Sequence, residues 1–193
     1  MPSTKFRRGF KSDAERIAGE LRSELRLNAA TRLDPYLLAE HLCVPVLTLH
    51  ELARVAPREV AHFLGAGRSV FSAMTVYVGR SKRIVVTNPS HARTRQVSSV
   101  CHEISHILLE HQPEGPISTN AGRAWNGVQE READWLAGCL LVPQAAARAA
   151  ARANQSDDDV AAAYGVSRPL ASWRMNATGA RIYASRLADY RQG

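Results

Sequence analysis

The segment Cys101-His102-Glu103-Ile104-Ser105-His106-Ile107-Leu108-Leu109 carries the pattern H-E-x-x-H inside a run that is otherwise almost entirely apolar. On a helix, residues four apart stand one above the other, so His102 and His106 present two imidazoles to one point in space, where a divalent metal ion can be held. Glu103 lies about 100° round the helix from His102 and flanks that point without binding it. A carboxylate so placed can take a proton from a water. A single histidine in an apolar helix has a plain packing explanation. Two histidines and a carboxylate each cost free energy unless partnered, and a metal is a partner they can share.

Catalytic zinc usually takes three protein ligands and leaves a position for water, so a third donor is expected downstream. Glu110, His111, Glu114, Glu130, Glu132 and Asp134 are the candidates. In the helix predicted from Val128 to Leu141, the apolar side is set by Ala133, Leu136, Ala137, Leu140 and Leu141. At 100° per residue Glu130 falls about 50° from the centre of that face and Glu132 more than about 100° away, which predicts Glu130 inward and Glu132 toward solvent. Asp134 shares the side of Glu130 and is placed to accept the second ring N–H of a metal-bound histidine. Glu130 and Asp134 also have a plainer reading, as a charged helix face with Arg131. His41, His50, His62, His91 and His111 have no metal-ligand spacing with one another and read as surface or core residues. Two imidazoles and one carboxylate suit zinc, and manganese or iron would accept the same ligands.

The elements that must position these groups are legible in outline. A helix is predicted over residues 91–111, capped by Asn88-Pro89-Ser90, and another over 126–141, stopped by Pro143. Before them, Ala73–Val78 and Arg83–Thr87 read as two strands joined by a turn at Gly79 to Lys82. The strand Arg83–Thr87 has two readings, an edge on which an extended substrate adds as a further strand, or an interior strand of the sheet. Val44–Leu49 reads as a strand, Asp34-Pro35 opens a short helix to about Leu42, and residues 50–69 read as a short helix and a loop. Ser12 with Glu15 has the form of a capping box for a helix from Asp13 to about Leu27. After Pro143 the Ala-rich run and the acidic cap Asp157-Asp158-Asp159 predict several short helices.

With 193 residues, 45% hydrophobic and 22% charged, the chain has the composition of an ordinary globular protein. No apolar run is long enough to cross a bilayer and no signal segment follows the basic start, so a cytoplasmic protein without membrane association is expected. Cys43, Cys101 and Cys139 are odd in number, widely spaced and set among apolar residues, which predicts buried thiols. The net charge of +7 is carried by the ends: four basic and no acidic residues in 1–12, seven basic and four acidic in 143–193, and fourteen of each between. Nucleic-acid contact by the ends is permitted by such a distribution and not required.

His102-Glu-Ile-Ser-His106, followed by Glu130, Ala133, Asp134, Ala137, Leu140, Leu141 and Pro143, resembles the ImmA/IrrE family of metallopeptidases. That family has an H-E-x-x-H helix and then a helix of the form E-x-x-A-[ND]-x-x-A-x-x-L-L-x-P. Leu33–Leu42 is similar to the family's N-terminal helix and Tyr164–Met175 to its C-terminal segment, so the likeness runs from about residue 14 to 180. Trp135-Leu136 departs from it, where many members have a polar residue and Phe. The resemblance implies an α+β, zincin-like fold with a small twisted sheet backing the H-E-x-x-H helix. It also implies a zinc-dependent endopeptidase of narrow specificity, with a helix-turn-helix repressor of mobile-element or stress control as substrate. The ligand set it implies is His102, His106 and Glu130, with Glu103 as general base.

A competing reading comes from Asp159–Met175, which has the form of a helix-turn-helix. Gly165 falls at the turn and Ser167 at the cap of a would-be recognition helix, with Arg168, Ser172 and Arg174 available to reach DNA. The chain would then be a DNA-binding regulator with a structural or sensory metal. Such shapes are also common packing units. The expected organisation is a basic, disordered tail over 1–12 and one domain over 13–193, with a catalytic core at about 44–142 and a helical lobe at about 143–193. Nothing in the sequence sets an oligomeric state.

Overall fold

The computed structural model describes residues 6–69, 71–78, 82–112, 114–118, 122–124 and 127–192. The fold is mixed α+β, and the chain divides into two compact units, residues 1–8 with 34–137, and residues 9–33 with 138–193.

The first unit is built on a three-stranded sheet in the order β1-β3-β2, formed by β1 (Val46–Thr48), β2 (Ala73–Val78) and β3 (Lys82–Thr87). β3 is central. It runs parallel to β1, with Val46 opposite Val85 and Thr48 opposite Thr87. It runs antiparallel to β2, from Ala73 opposite Thr87 to Val78 opposite Lys82. Both flanks of Val85 and Val86 are therefore occupied, and the substrate-pairing reading of this strand gives way to the interior one. The connection Gly79–Ser81 lies outside the described residues.

Because side chains alternate along a strand, the sheet has two distinct faces. Val86, Met74 and Val76 pack with Leu49 and Leu52 of α3 (Leu49–Leu52) and with Val60 and Phe63 of α4 (Pro57–Leu64). Thr75 and Val85 are opposite partners on the other face, and both are buried. That face looks onto α5 (Arg93–Leu108), which buries Val97, Val100, Cys101 and Ile104 at helical spacing and also packs on α2 (Pro35–His41). Asp34 caps α2 by accepting from the Tyr36 amide at 2.9 Å, with Pro35 in the first turn.

α5 is shorter than the sequence suggests, and its N-cap is Ala92. Asn88, expected in the cap, folds back instead. Its amide donates to the carbonyl oxygens of Arg68 at 2.6 Å and Phe71 at 2.9 Å, and its Oδ1 accepts from the Ser90 amide at 3.0 Å. Cys43, expected to be buried, is exposed; it stands just past the end of α2, in the left-handed region at φ 55°. A two-stranded ribbon, β4 (Glu114–Ser118) with β5 (Gly122–Ala124), precedes α6 (Gly127–Leu141), which carries residues of both units.

The second unit comprises α1 (Phe10–Glu24), α7 (Gln144–Arg152), α8 (Asp157–Tyr164), α9 (Arg168–Ala177) and α10 (Ala180–Gln192), with the end of α6. This unit resumes at Gly138, within α6, and includes α1. The bonds explain this grouping: Arg22 donates to the Leu140 carbonyl at 2.7 Å, and Glu15 accepts from Arg174 at 2.6 Å and from the Gln144 amide at 3.2 Å. Glu15 is thus unavailable for a capping box with Ser12. α1 starts at Phe10, after Gly9 in the left-handed region, φ 82°. The N-terminal segment departs from the expected tail over 1–12, since Phe10 is fully buried and Phe6 stands edge-on to Trp135 in the first unit, with ring centroids 5.4 Å apart; residues 1–5 lie outside the described residues.

Candidate metal centre

Three donor groups converge where α5 meets the first half of α6. His102 Nε2 lies 3.0 Å from His106 Nε2 and 3.5 Å from Glu130 Oε2, and His106 Nε2 lies 3.4 Å from Glu130 Oε1. A tetrahedron with bonds of about 2.0–2.1 Å has edges of about 3.3 Å, so these separations, two of them to different oxygens of the one carboxylate, are close to the edge length of a tetrahedral zinc site. His102, His106 and Glu130 form the one such group of potential metal ligands among the described residues. The four-residue spacing on α5 supplies the two rings. Ala133 and Ala137, both buried, line the side of α6 where the Cys101 thiol reaches the Ala137 carbonyl at 3.7 Å.

The electrostatics of the group favour a cation. Burial opposes charging the His102 ring, but its hydrogen bonds to Asp134 and then Glu130 outweigh this and raise its pKa to about 10. Chiefly its hydrogen bond with His102 holds the Glu130 carboxyl down at about 2. Asp134 Oδ1 stands 2.8 Å from His102 Nδ1, on the far side of the ring from Nε2. His106 is fully buried, whereas the Glu130 side chain is 42% exposed, so the group can be reached from one side.

Glu103 is buried, and its Oε2 accepts from the Thr75 hydroxyl of β2 at 2.8 Å. It is close enough to contribute electrostatically to the raised pKa of His102. Thr75 was not singled out by the sequence, although it and Tyr77 are the polar members of an alternating strand, and both point toward α5. The Tyr77 hydroxyl donates to the His111 carbonyl at 3.2 Å.

One expectation about this helix is corrected. Glu132 does not face solvent but is 7% exposed, with Oε2 3.3 Å from His111 Nε2 and Oε1 3.7 Å from Arg7 Nε. The side of α6 away from its apolar stripe is covered by the turn that ends α5 and by the N-terminal segment, which a reading of α6 alone does not contain. His111 is likewise buried, and its Nδ1 lies 3.0 Å from His106 Nδ1. Burial, and then the neighbouring His106, hold the His111 ring below the usual imidazole range.

The candidate DNA contacts lie in the second unit. α8 and α9 do form a helix-turn-helix, with Gly165 in the left-handed region at φ 63° and Ser167 as the cap of α9. Arg174 cannot reach DNA, because it is fully buried and donates to the Val142 carbonyl at 3.0 Å and to Glu15. Arg168 is exposed but stands 3.3 Å from Asp158, and Ser172 is half-buried and hydrogen-bonded to Asp157. Acidic groups thus line the start of the would-be recognition helix.

The chain matches the Peptidase_M78 family model, the IrrE N-terminal-like domain, over residues 53–176. It belongs to that family. The match takes in β2, β3, α5 and α6 and every donor of the candidate centre, and stops short of the similar segment Leu33–Leu42. Neither a curated protein nor a solved structure matches the chain significantly.

Proposed function

We propose that this member of a metallopeptidase family is a zinc-dependent endopeptidase of narrow specificity that acts in the cytoplasm on a helix-turn-helix repressor. The observation that carries the reading is the His102–His106–Glu130 triangle with donor separations of 3.0–3.5 Å, flanked by a buried Glu103 that takes no part in it. Two imidazole nitrogens and a carboxylate are the donor set for zinc, and manganese or iron would fit the same atoms. When bound, the ion supplies a Lewis acid that polarises a peptide carbonyl and acidifies water.

The chain's own residues supply the rest. Asp134 orients His102 through Nδ1 and leaves Nε2 turned toward the ion. Thr75 holds Oε2 of Glu103, so Oε1 is the oxygen left to receive a proton from the attacking water and pass it to the leaving amine. β2 is an edge strand beside Glu103, and an extended substrate segment adds there. Three free cysteines agree with a reducing compartment. No helix among the described residues is long and apolar enough to cross a membrane.

The test is a comparison of new protein N-termini in a bacterial lysate treated with zinc-loaded wild type or with Glu103→Gln. The reading expects a few cuts, concentrated in helix-turn-helix proteins and absent with a variant that remains folded and metal-loaded. Equal cutting by Glu103→Gln removes Glu103 from its role, and no cutting by the wild type removes the peptidase assignment.

A further inference from the structure

Behind His106 runs a chain of buried polar groups that the peptidase reading does not itself require. We infer that His111 and Glu132 are positioning residues that fix the proton of His106 on Nδ1, so that its Nε2 meets the metal as a lone pair. The inference rests on the metal site proposed above.

The direction of each hydrogen bond follows from what each group can do. A carboxylate only accepts, so at the 3.3 Å contact His111 Nε2 is the donor to Glu132 Oε2. A neutral ring with its proton on Nε2 has its lone pair on Nδ1, so across the 3.0 Å contact His111 accepts and His106 Nδ1 donates. His106 Nε2 is then without a proton, and it is the atom facing His102 Nε2 and Glu130 Oε1. Arg7 Nε stands 3.7 Å from the far oxygen of Glu132. Each ligand ring therefore has its own carboxylate, Asp134 directly for His102 and Glu132 through a second ring for His106. The two differ in setting: the Asp134 side chain is 66% exposed, whereas His111 and Glu132 are buried, where hydrogen bonds are electrostatically stronger.

The backbone explains how a residue five positions after a ligand reaches it. Past the end of α5, the Glu110 amide donates to the Ile107 carbonyl and the His111 amide to the His106 carbonyl, each at 3.1 Å, with Glu110 in the left-handed region at φ 53°. This is a Schellman turn, which ordinarily brings together an apolar pair at the positions that His106 and His111 occupy here. The turn is held from two sides, by Tyr77 on the His111 carbonyl and by Gln129 on the Gln112 carbonyl at 3.2 Å.

The experiment measures zinc affinity by chelator competition in wild type, His111→Phe and His111→Gln, with long-range 1H–15N spectra of the zinc-loaded wild type. Phe keeps a flat ring without an acceptor and should weaken zinc binding about 10–100-fold, the range for lost outer partners of a ligand. Gln offers a carbonyl to His106 and should recover most of that loss. The spectra should show protons on His106 Nδ1 and His111 Nε2. Wild-type affinity in His111→Phe, or a proton on His111 Nδ1 rather than Nε2, overturns the relay while leaving the metal site standing. A folded wild type that takes up no zinc overturns both. Should the variants not fold, the wild-type spectrum alone decides.

Discussion

Binding of zinc should expel a proton from His102. With its pKa raised to about 10 by Asp134 and Glu130, the ring is protonated in the metal-free protein at pH 7.5. Removing that proton costs about 3.5 kcal/mol, two and a half pH units at about 1.4 kcal/mol each. Metal binding at neutral pH is weakened by that amount, and affinity should rise about tenfold per pH unit from 7 to 9. Isothermal titration calorimetry in buffers of different ionisation enthalpy counts the protons, and one per zinc is expected at pH 7.5. Asp134→Asn removes the carboxylate that does most to raise the pKa, so proton release should fall in that variant. The same shift sets the stability of the metal-free protein. A raised pKa stabilises fully below the unfolded value of about 6.5 and is lost as pH climbs through about 10, so the melting temperature should fall across that window. The depressed Glu130 works at the other end, its contribution being lost as pH falls from about 4.5 toward 2. Zinc binding with no proton release and no pH dependence between 7 and 9 refutes this assignment of the proton to His102.

Two substitutions test other parts of the account. Thr75→Val keeps the shape of a buried side chain but removes the donor to Glu103, an interaction worth about 1.5–3 kcal/mol for a charged group, so turnover should fall about tenfold or more with zinc affinity unchanged. Wild-type turnover in that variant would show that Glu103 needs no such anchor. Arg174→Met leaves Glu15 without its cation and should lower the unfolding free energy by about 3 kcal/mol in urea titrations. Adding Glu15→Leu should restore much of it, and a simple sum of the two losses would count against a coupled pair.

The parts of the fold that repeat locally were legible in the sequence. The apolar positions of α5 and α6, the alternation of β2 and the Asp34-Pro35 and Ser167 caps follow from spacing alone, and with them the approach of His102, His106, Glu130 and Asp134. What was hidden depends on residues far apart in the chain or on backbone geometry that the sequence does not mark. His111 meets His106 only because Glu110, a residue without glycine's freedom, takes the left-handed conformation, so no periodic template pairs positions five apart. Glu132 is buried by that turn and by Arg7, contacts invisible from one helical wheel. Arg174 read as a surface base because its partner Glu15 stands at the other end of the chain, and Ser12 lost its capping role to Gly9 once Glu15 was drawn into that pair.

The central claim is a metal centre built from His102, His106 and Glu130, and zinc stoichiometry tests it most directly. Purified wild type and Glu130→Ala would be loaded with zinc, dialysed against a weak chelator and analysed by plasma mass spectrometry, with circular dichroism as the check on folding. About one zinc per wild-type chain, lost in a folded Glu130→Ala, is the predicted result. A folded wild type that retains no metal, or a Glu130→Ala variant that retains as much, contradicts the account.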